Sequence, residues 1–107
     1  MTNATYVVYQ AENTLNGSLY IGITRQDLRK RAQNHKHTAF GKFPNGEWRV
    51  NGNFQKAIRK YGISAFVFSA VEEGLTVDDA KKREIELIAE LKPVYNSTLG
   101  GDGWLGG

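Results

Sequence analysis

The chain has no cysteine in its 107 residues, so it forms no disulfide and offers no thiolate to a metal. That suits a reducing compartment. The opening Met1-Thr2-Asn3-Ala4-Thr5 also lacks the basic start and apolar stretch of a signal peptide. The expected location is cytoplasmic or otherwise intracellular. No run is long and apolar enough to span a bilayer, so no membrane partner is expected. Proline is scarce, with Pro44 falling in a loop and Pro93 closing a helix. The length leaves room for one small domain, and a hydrophobic fraction of 40% supports a modest core.

Acidic residues are few in the first part of the chain. Residues 1–62 hold ten Lys and Arg against three Asp and Glu, whereas residues 63–107 hold four against eight. A basic half points to a polyanionic partner. Ordinary lysines on a solvated helix face satisfy the same count.

The pattern predicts strands over Tyr6–Glu12 and Leu19–Thr24, joined by a turn at 13–17. Thr24 followed by Asp27 predicts a capped helix to about His37. Residues 38–52, with three glycines and Pro44, read as a loop. Asn53 is placed to cap a short helix through Tyr61, with Gly62 as its stop. Ala65–Val71 alternates as a strand, and Thr76 with Asp79 opens a helix that ends near Leu91. The order is β-β-α-α-β-α. The fold class is mixed α/β, a small three-stranded antiparallel sheet flanked by helices. The domain is expected over 1–99, with a glycine-rich tail or linker start over 100–107.

Four places carry candidate chemistry. In the last helix Val77, Ala80, Leu87, Ile88 and Leu91 form an apolar stripe, and Glu84 sits in its middle. An inward carboxylate needs a partner. Either it forms a buried ion pair, with Arg31 as a candidate, or it binds a divalent ion whose shell is completed by water and phosphate. In the first helix Arg31 and His35 share the face of Leu28. Arginine's fork suits phosphate oxygens, and histidine titrates near neutral pH; a solvated surface pair is the plain reading. Tyr9 and Tyr20 stand on neighbouring strands and share a sheet face if the paired positions sum to an odd number. A two-residue Asn16-Gly17 turn satisfies that parity but sets Tyr20 opposite Asn13, leaving Tyr9 about 13 Å along the strand. If both tyrosines serve one site, the loop must be longer. Cross-strand packing is the plain reading of each. Finally, Phe40, Lys42, Phe43, Trp48 and Arg49 interleave bases and aromatics, which suits either a nucleic-acid contact or a loop pinned by Trp48.

Taken in order, these pieces resemble the GIY-YIG endonuclease family. Val7-Val8-Tyr9 and Tyr20-Ile21-Gly22, with their separation, look like its paired tyrosine motifs. Arg31 and His35 stand where the family has its helical arginine and a nearby histidine. The run 53–62 is similar to its second helix, Arg83-Glu84 to its glutamate helix, and the segment from Tyr95-Asn96 to Gly103 to its closing segment. One departure is that the first motif begins Val7-Val8 rather than Gly-Ile, which bears on how Tyr9 is seated.

The resemblance implies a DNA endonuclease that hydrolyses phosphodiesters with one divalent metal ion, Mg²⁺ or Mn²⁺. Its implied site is Tyr9, Tyr20, Arg31, His35, Glu84 and Asn96. Glu84 binds the metal, Arg31 neutralises transition-state charge, and Tyr9 takes a proton from the attacking water with Tyr20 and His35 assisting. An unassisted phenol would need its pKa lowered by about 3 units to act near pH 7, which keeps His35 as the alternative base. Asn96 is expected to brace the site through hydrogen bonds. The alternatives are a non-catalytic DNA-binding module that keeps the fold, and a partner-binding domain in which Glu84 pairs with arginine.

Overall fold

A computed structural model describes residues 5–96. Three strands, β1 (Tyr6–Asn13), β2 (Leu19–Thr24) and β3 (Phe66–Leu75), form one antiparallel sheet in the order β2-β1-β3. The helices are α1 (Leu28–Phe40), α2 (Asn53–Tyr61) and α3 (Val77–Leu91), with one-turn 3₁₀ segments at Ile63–Ala65 and Val94–Asn96. The β-β-α-α-β-α order is the expected one.

The hairpin turn differs from the expected two-residue form. Asn13 N–H donates to Ser18 C=O and Gly17 N–H to Asn13 C=O, so the loop is wider, with Gly17 at φ 76°. Asn13 Oδ1 and Asn16 Oδ1 accept from the amides of Leu15 and Ser18, which holds the loop from within. The register therefore sets Tyr20 opposite Ala11 and Gly22 opposite Tyr9. The tyrosines keep the same face, and their offset along the ladder falls from the four positions of the tight turn to two.

Two caps also differ. Asp27, not Thr24, caps α1 by accepting from Lys30 N–H, while Thr24 accepts from Gln26 N–H one turn earlier. Helix α1 also runs to Phe40, which brings Ala39 into the core. For α2 the cap position is Gly52, whose N–H donates to Gln55 Oε1. Helix α3 opens as expected, with Thr76 Oγ1 accepting from Asp79 N–H, and closes at Lys92 in the left-handed region just before Pro93. Strand β3 runs to Leu75, past a bulge at Glu72-Glu73-Gly74: Glu72 lies opposite Val8, and Leu75 then pairs with Tyr6.

The sheet has a core on each face. On one, Ala11, Phe66 and Phe68 meet Ala39 of α1, Phe54, Ala57 and Ile58 of α2, and Tyr95. On the other, Val8 and Ile21 meet Ala80 and Leu87 of α3. Period-two alternation in β1 and β2 sorts the side chains between these cores. Glu84 therefore rises from the opposite face of the sheet to Arg31 and His35, and the two can meet only around the free edge of β2. Among the described residues, no helix is long and apolar enough to cross a membrane.

The loop 41–52 takes the plainer of its two readings. Trp48 bridges to Lys42, lies under the Arg59 guanidinium at 4.1 Å, and meets Phe40 edge-on. Arg59 also donates to Ala39 C=O and to Asn51 Oδ1, which ties the loop to α2. The expected glycine-rich tail over 100–107 lies outside the described residues.

Candidate active site

The Tyr9 hydroxyl is the hub of the site. It lies 2.7 Å from His35 Nε2 and accepts from Arg31 Nε at 3.3 Å. Arg31 and His35 reach it together because they stand one turn apart on α1. In the tautomer that leaves His35 Nε2 unprotonated, the phenol donates to that nitrogen while it accepts from Arg31. The environment keeps the ring in the neutral form that this arrangement needs. Burial, and next the Arg31 charge, lower the His35 pKa to about 4, so the ring is neutral at neutral pH.

An aromatic box fixes these groups. Tyr20 stacks on Phe54 at 4.1 Å with its ring nearly parallel, and His35 stands edge-on to both. Phe68 lies beneath Tyr9 and His35. Neither Phe54 nor Phe68 stood out in the sequence as a site residue, because a core phenylalanine and a site-lining one carry the same apolar signal. Gly22 has a steric role. A Cβ there would stand 2.7 Å from the Tyr9 hydroxyl and 3.0 Å from the Tyr20 ring. The Val7-Val8 departure does not disturb this seat, since Val8 points into the opposite core and Tyr9 lies fully buried at the hub.

Burial acts on the tyrosines as well. It is the main cause raising the Tyr9 pKa, with Tyr20 adding to it and Arg31 opposing it. Tyr20 is raised by burial too, and it feels Arg31 pulling it down and Glu84 pushing it up. Tyr20 thus lies electrostatically between the arginine and the carboxylate.

Glu84 faces a cleft of about 520 Å³ at the β2 edge, shared with Tyr20, Lys81, Asn96 and residues 52–55 at the start of α2. The ion pair with Arg31, one of the two readings open for Glu84, is not formed. Among the described residues the Glu84 carboxylate has no hydrogen bond or ion pair, while its neighbour Arg83 bonds both Glu72 and Glu86. Burial raises the Glu84 pKa and the Lys81 charge opposes that. A half-buried, unpartnered carboxylate beside an open cleft fits a hard divalent ion that keeps water and takes substrate oxygen. No cluster of three or more His, Cys, Asp or Glu positioned to hold a metal occurs among the described residues, so Glu84 would be its single acidic ligand.

Asn96 has a bracing geometry. Its Oδ1 accepts from Ile21 N–H at 2.7 Å, and its Nδ2 donates to Ile21 C=O at 2.8 Å. It satisfies the edge of β2 as a residue of a further strand would. Tyr95 beside it accepts from Asn13 Nδ2 and Asn16 Nδ2, which fastens this segment to the hairpin loop. All six expected residues therefore gather around one edge. Tyr9, Arg31 and His35 are in direct contact, Tyr20 joins them to the cleft, and Glu84 and Asn96 line it.

Comparison with known proteins agrees with this fold. Among solved structures, the catalytic domain of homing endonuclease I-TevI is similar over 81% of this chain and 88% of its own, at 27% identity and a TM-score of 0.61. The catalytic domain of intron endonuclease I-TevI in a glutamate-to-alanine mutant form is similar over 92% of this chain and 96% of its own, at 26% identity and a TM-score of 0.66. No curated protein matches. The family model described as the GIY-YIG catalytic domain matches residues 5–96, from the first tyrosine strand to the Asn96 brace, and this chain belongs to that nuclease family.

Proposed function

We propose that the domain is a metal-dependent endonuclease that hydrolyses DNA phosphodiesters at the β2 edge. The observation that carries this reading is the Tyr9 hydroxyl, held by Arg31 and His35, beside a cleft lined by Glu84, which has no hydrogen bond or ion pair among the described residues. DNA is the substrate to test because the similar structures are catalytic domains of a homing endonuclease.

A Mg²⁺ or Mn²⁺ ion on Glu84 would supply a Lewis acid for the charge developing on the leaving oxygen. Arg31 uses Nε for Tyr9, and its two Nη groups are left to fork a phosphate. Tyr9 is fully covered in this state, so the phosphate must draw the guanidinium outward before water meets the phenol. His35 Nε2 is capped by Tyr9, so a water proton reaches it only through the phenol oxygen. The water gives its proton to that oxygen as the Tyr9 proton moves to His35 Nε2. The hydroxide attacks phosphorus, and the bond to the leaving oxygen breaks. This relay avoids a free phenolate, which burial disfavours.

The second reading is a non-catalytic DNA-binding module, and the complete burial of Tyr9 is the observation in its favour. The deciding experiment is supercoiled-plasmid cleavage with Mg²⁺ and with EDTA, for wild type and Glu84→Ala. Metal-dependent nicking lost in the variant is the expected result. A plasmid shifted on a gel but never cut overturns the nuclease reading and favours the module.

A further inference from the structure

A second groove, of about 360 Å³, runs along α2 and is lined by Asn16, Ser18, Lys56, Lys60 and Tyr61. It shares Asn53 and Tyr95 with the Glu84 cleft, so the two hollows adjoin. Asn53, Lys56 and Lys60 stand at helical positions i, i+3 and i+7, which makes one face of α2 the wall of this groove. From Asn53 to Lys60 the helix advances about 10 Å. At roughly 3.4 Å of rise per nucleotide, that is about three steps of a DNA strand.

The lining is chemically one-sided. Among the described residues, no carboxylate contributes to it. Lys56 and Lys60 are exposed and form no ion pair among the described residues; the Lys60 ammonium rests 5.2 Å from the Tyr61 ring. The floor is fixed, because Tyr95 is buried and bonded by Asn13 and Asn16. A rigid groove with two uncompensated cations, continuous with a cleft suited to a phosphodiester, matches the charge and spacing of a nucleic-acid backbone.

We propose that this groove carries the backbone of the cut DNA strand away from the Glu84 cleft, with Lys56 and Lys60 each contacting a phosphate on one side of the scissile bond. The proposal rests on the endonuclease reading for the identity of the strand. The groove itself is tested by binding, and so stands or falls separately from cleavage.

The experiment measures duplex DNA binding by the full chain as a function of salt, for wild type, the Lys56→Ala/Lys60→Ala double variant and the Lys56→Arg/Lys60→Arg double variant. Loss of two phosphate contacts should lower the slope of log affinity against log salt by about 1.8 in the alanine variant, and arginine should restore it. Both lysines are exposed, so thermal midpoints should match wild type. Where wild type cuts, half-saturating protein should rise at least tenfold in the alanine variant, with the saturating rate within about twofold. Methylphosphonates placed one at a time around the nick should weaken wild type on one side only, and should leave the alanine variant indifferent there. An unchanged salt slope, or equal interference on both sides, overturns the groove, as does a wild type that binds no DNA. Wild type that binds with the predicted slope change but never cuts sustains the groove and sinks the nuclease reading instead.

Discussion

Gly22 lies directly across from Tyr9 in the β1–β2 ladder, and the Tyr9 phenol occupies the space where a side chain on Gly22 would begin. The glycine is required by this contact, since a Cβ would fall 2.7 Å from the hydroxyl and 2.8 Å from the ring carbon bearing it. The Tyr9 ring cannot simply swing aside, because Tyr20, His35 and Phe68 surround it. Gly22→Ala should therefore cost about 1–3 kcal/mol through overpacking. It should also slow cleavage at least tenfold by parting Tyr9 from His35. Urea unfolding and single-turnover cutting check both expectations. A variant with wild-type stability and rate would mean the ring has room to move.

The elements were legible because strand alternation, the Thr76 cap and the Gly62 stop are local signals. The hairpin register was not. Asn16-Gly17 carries the signature of a tight turn, but Asn13 and Asn16 bond the backbone of a wider loop and shift the pairing. The end of β3 was hidden by Glu72-Glu73-Gly74, residues that disfavour strands and enter this one only at a bulge. At the site, Arg31 and His35 could be placed on one face by helical spacing alone. Their joint hold on Tyr9 depends on the register, which is tertiary information. That Glu84 approaches from the other face of the sheet, around an edge, was likewise beyond any pattern within α3.

His35 makes the fold sensitive to acid. Its folded-state pKa is lowered from 6.5 to about 4, so the unfolded chain binds the proton more readily over that interval. The stability concerned is fully present above pH 6.5 and is lost as pH falls toward 4, by about 3 kcal/mol in total. Wild type and His35→Gln, unfolded in urea at several values between pH 4 and 7.5, should differ in slope, with the variant losing less on acidification. Parallel curves would show that His35 does not titrate this way. In cleavage, a relay to a neutral His35 predicts a rate that levels off above about pH 6. A rate rising log-linearly toward pH 10 would instead indicate a free Tyr9 phenolate.

Asn96 spans the N–H and C=O of one residue, so its two ends are not interchangeable. Asn96→Asp keeps the acceptor for Ile21 N–H but sets a carboxylate oxygen against Ile21 C=O. Asn96→Ala should cost about 1–3 kcal/mol through the two backbone groups left unpaired, and Asn96→Asp at least as much. Hydrogen exchange offers a local check: the Ile21 amide should lose protection in both variants before amides in α1 do. Retained protection at Ile21 would mean the edge is held by something other than the Asn96 amide.

Under the proposed function Glu84 presents the reverse balance, a side chain expected to weaken the metal-free fold while serving the site. Its carboxylate is partly desolvated with no hydrogen bond or ion pair among the described residues, and burial raises its pKa. Glu84→Gln keeps the shape and removes the charge. Without metal it should be neutral or up to about 1 kcal/mol more stable than wild type, which is at most a few degrees in thermal midpoint. With millimolar Mg²⁺ or Mn²⁺ the order should change, because an ion that binds only the folded state raises its midpoint in proportion to occupancy. Wild type should then gain stability and the variant should not. The wild-type gain should shrink as pH falls, since the proton competes with the metal for one carboxylate. Equal metal shifts in both proteins would remove Glu84 as the ligand, and a glutamine variant less stable than metal-free wild type would show that the carboxylate has a structural partner.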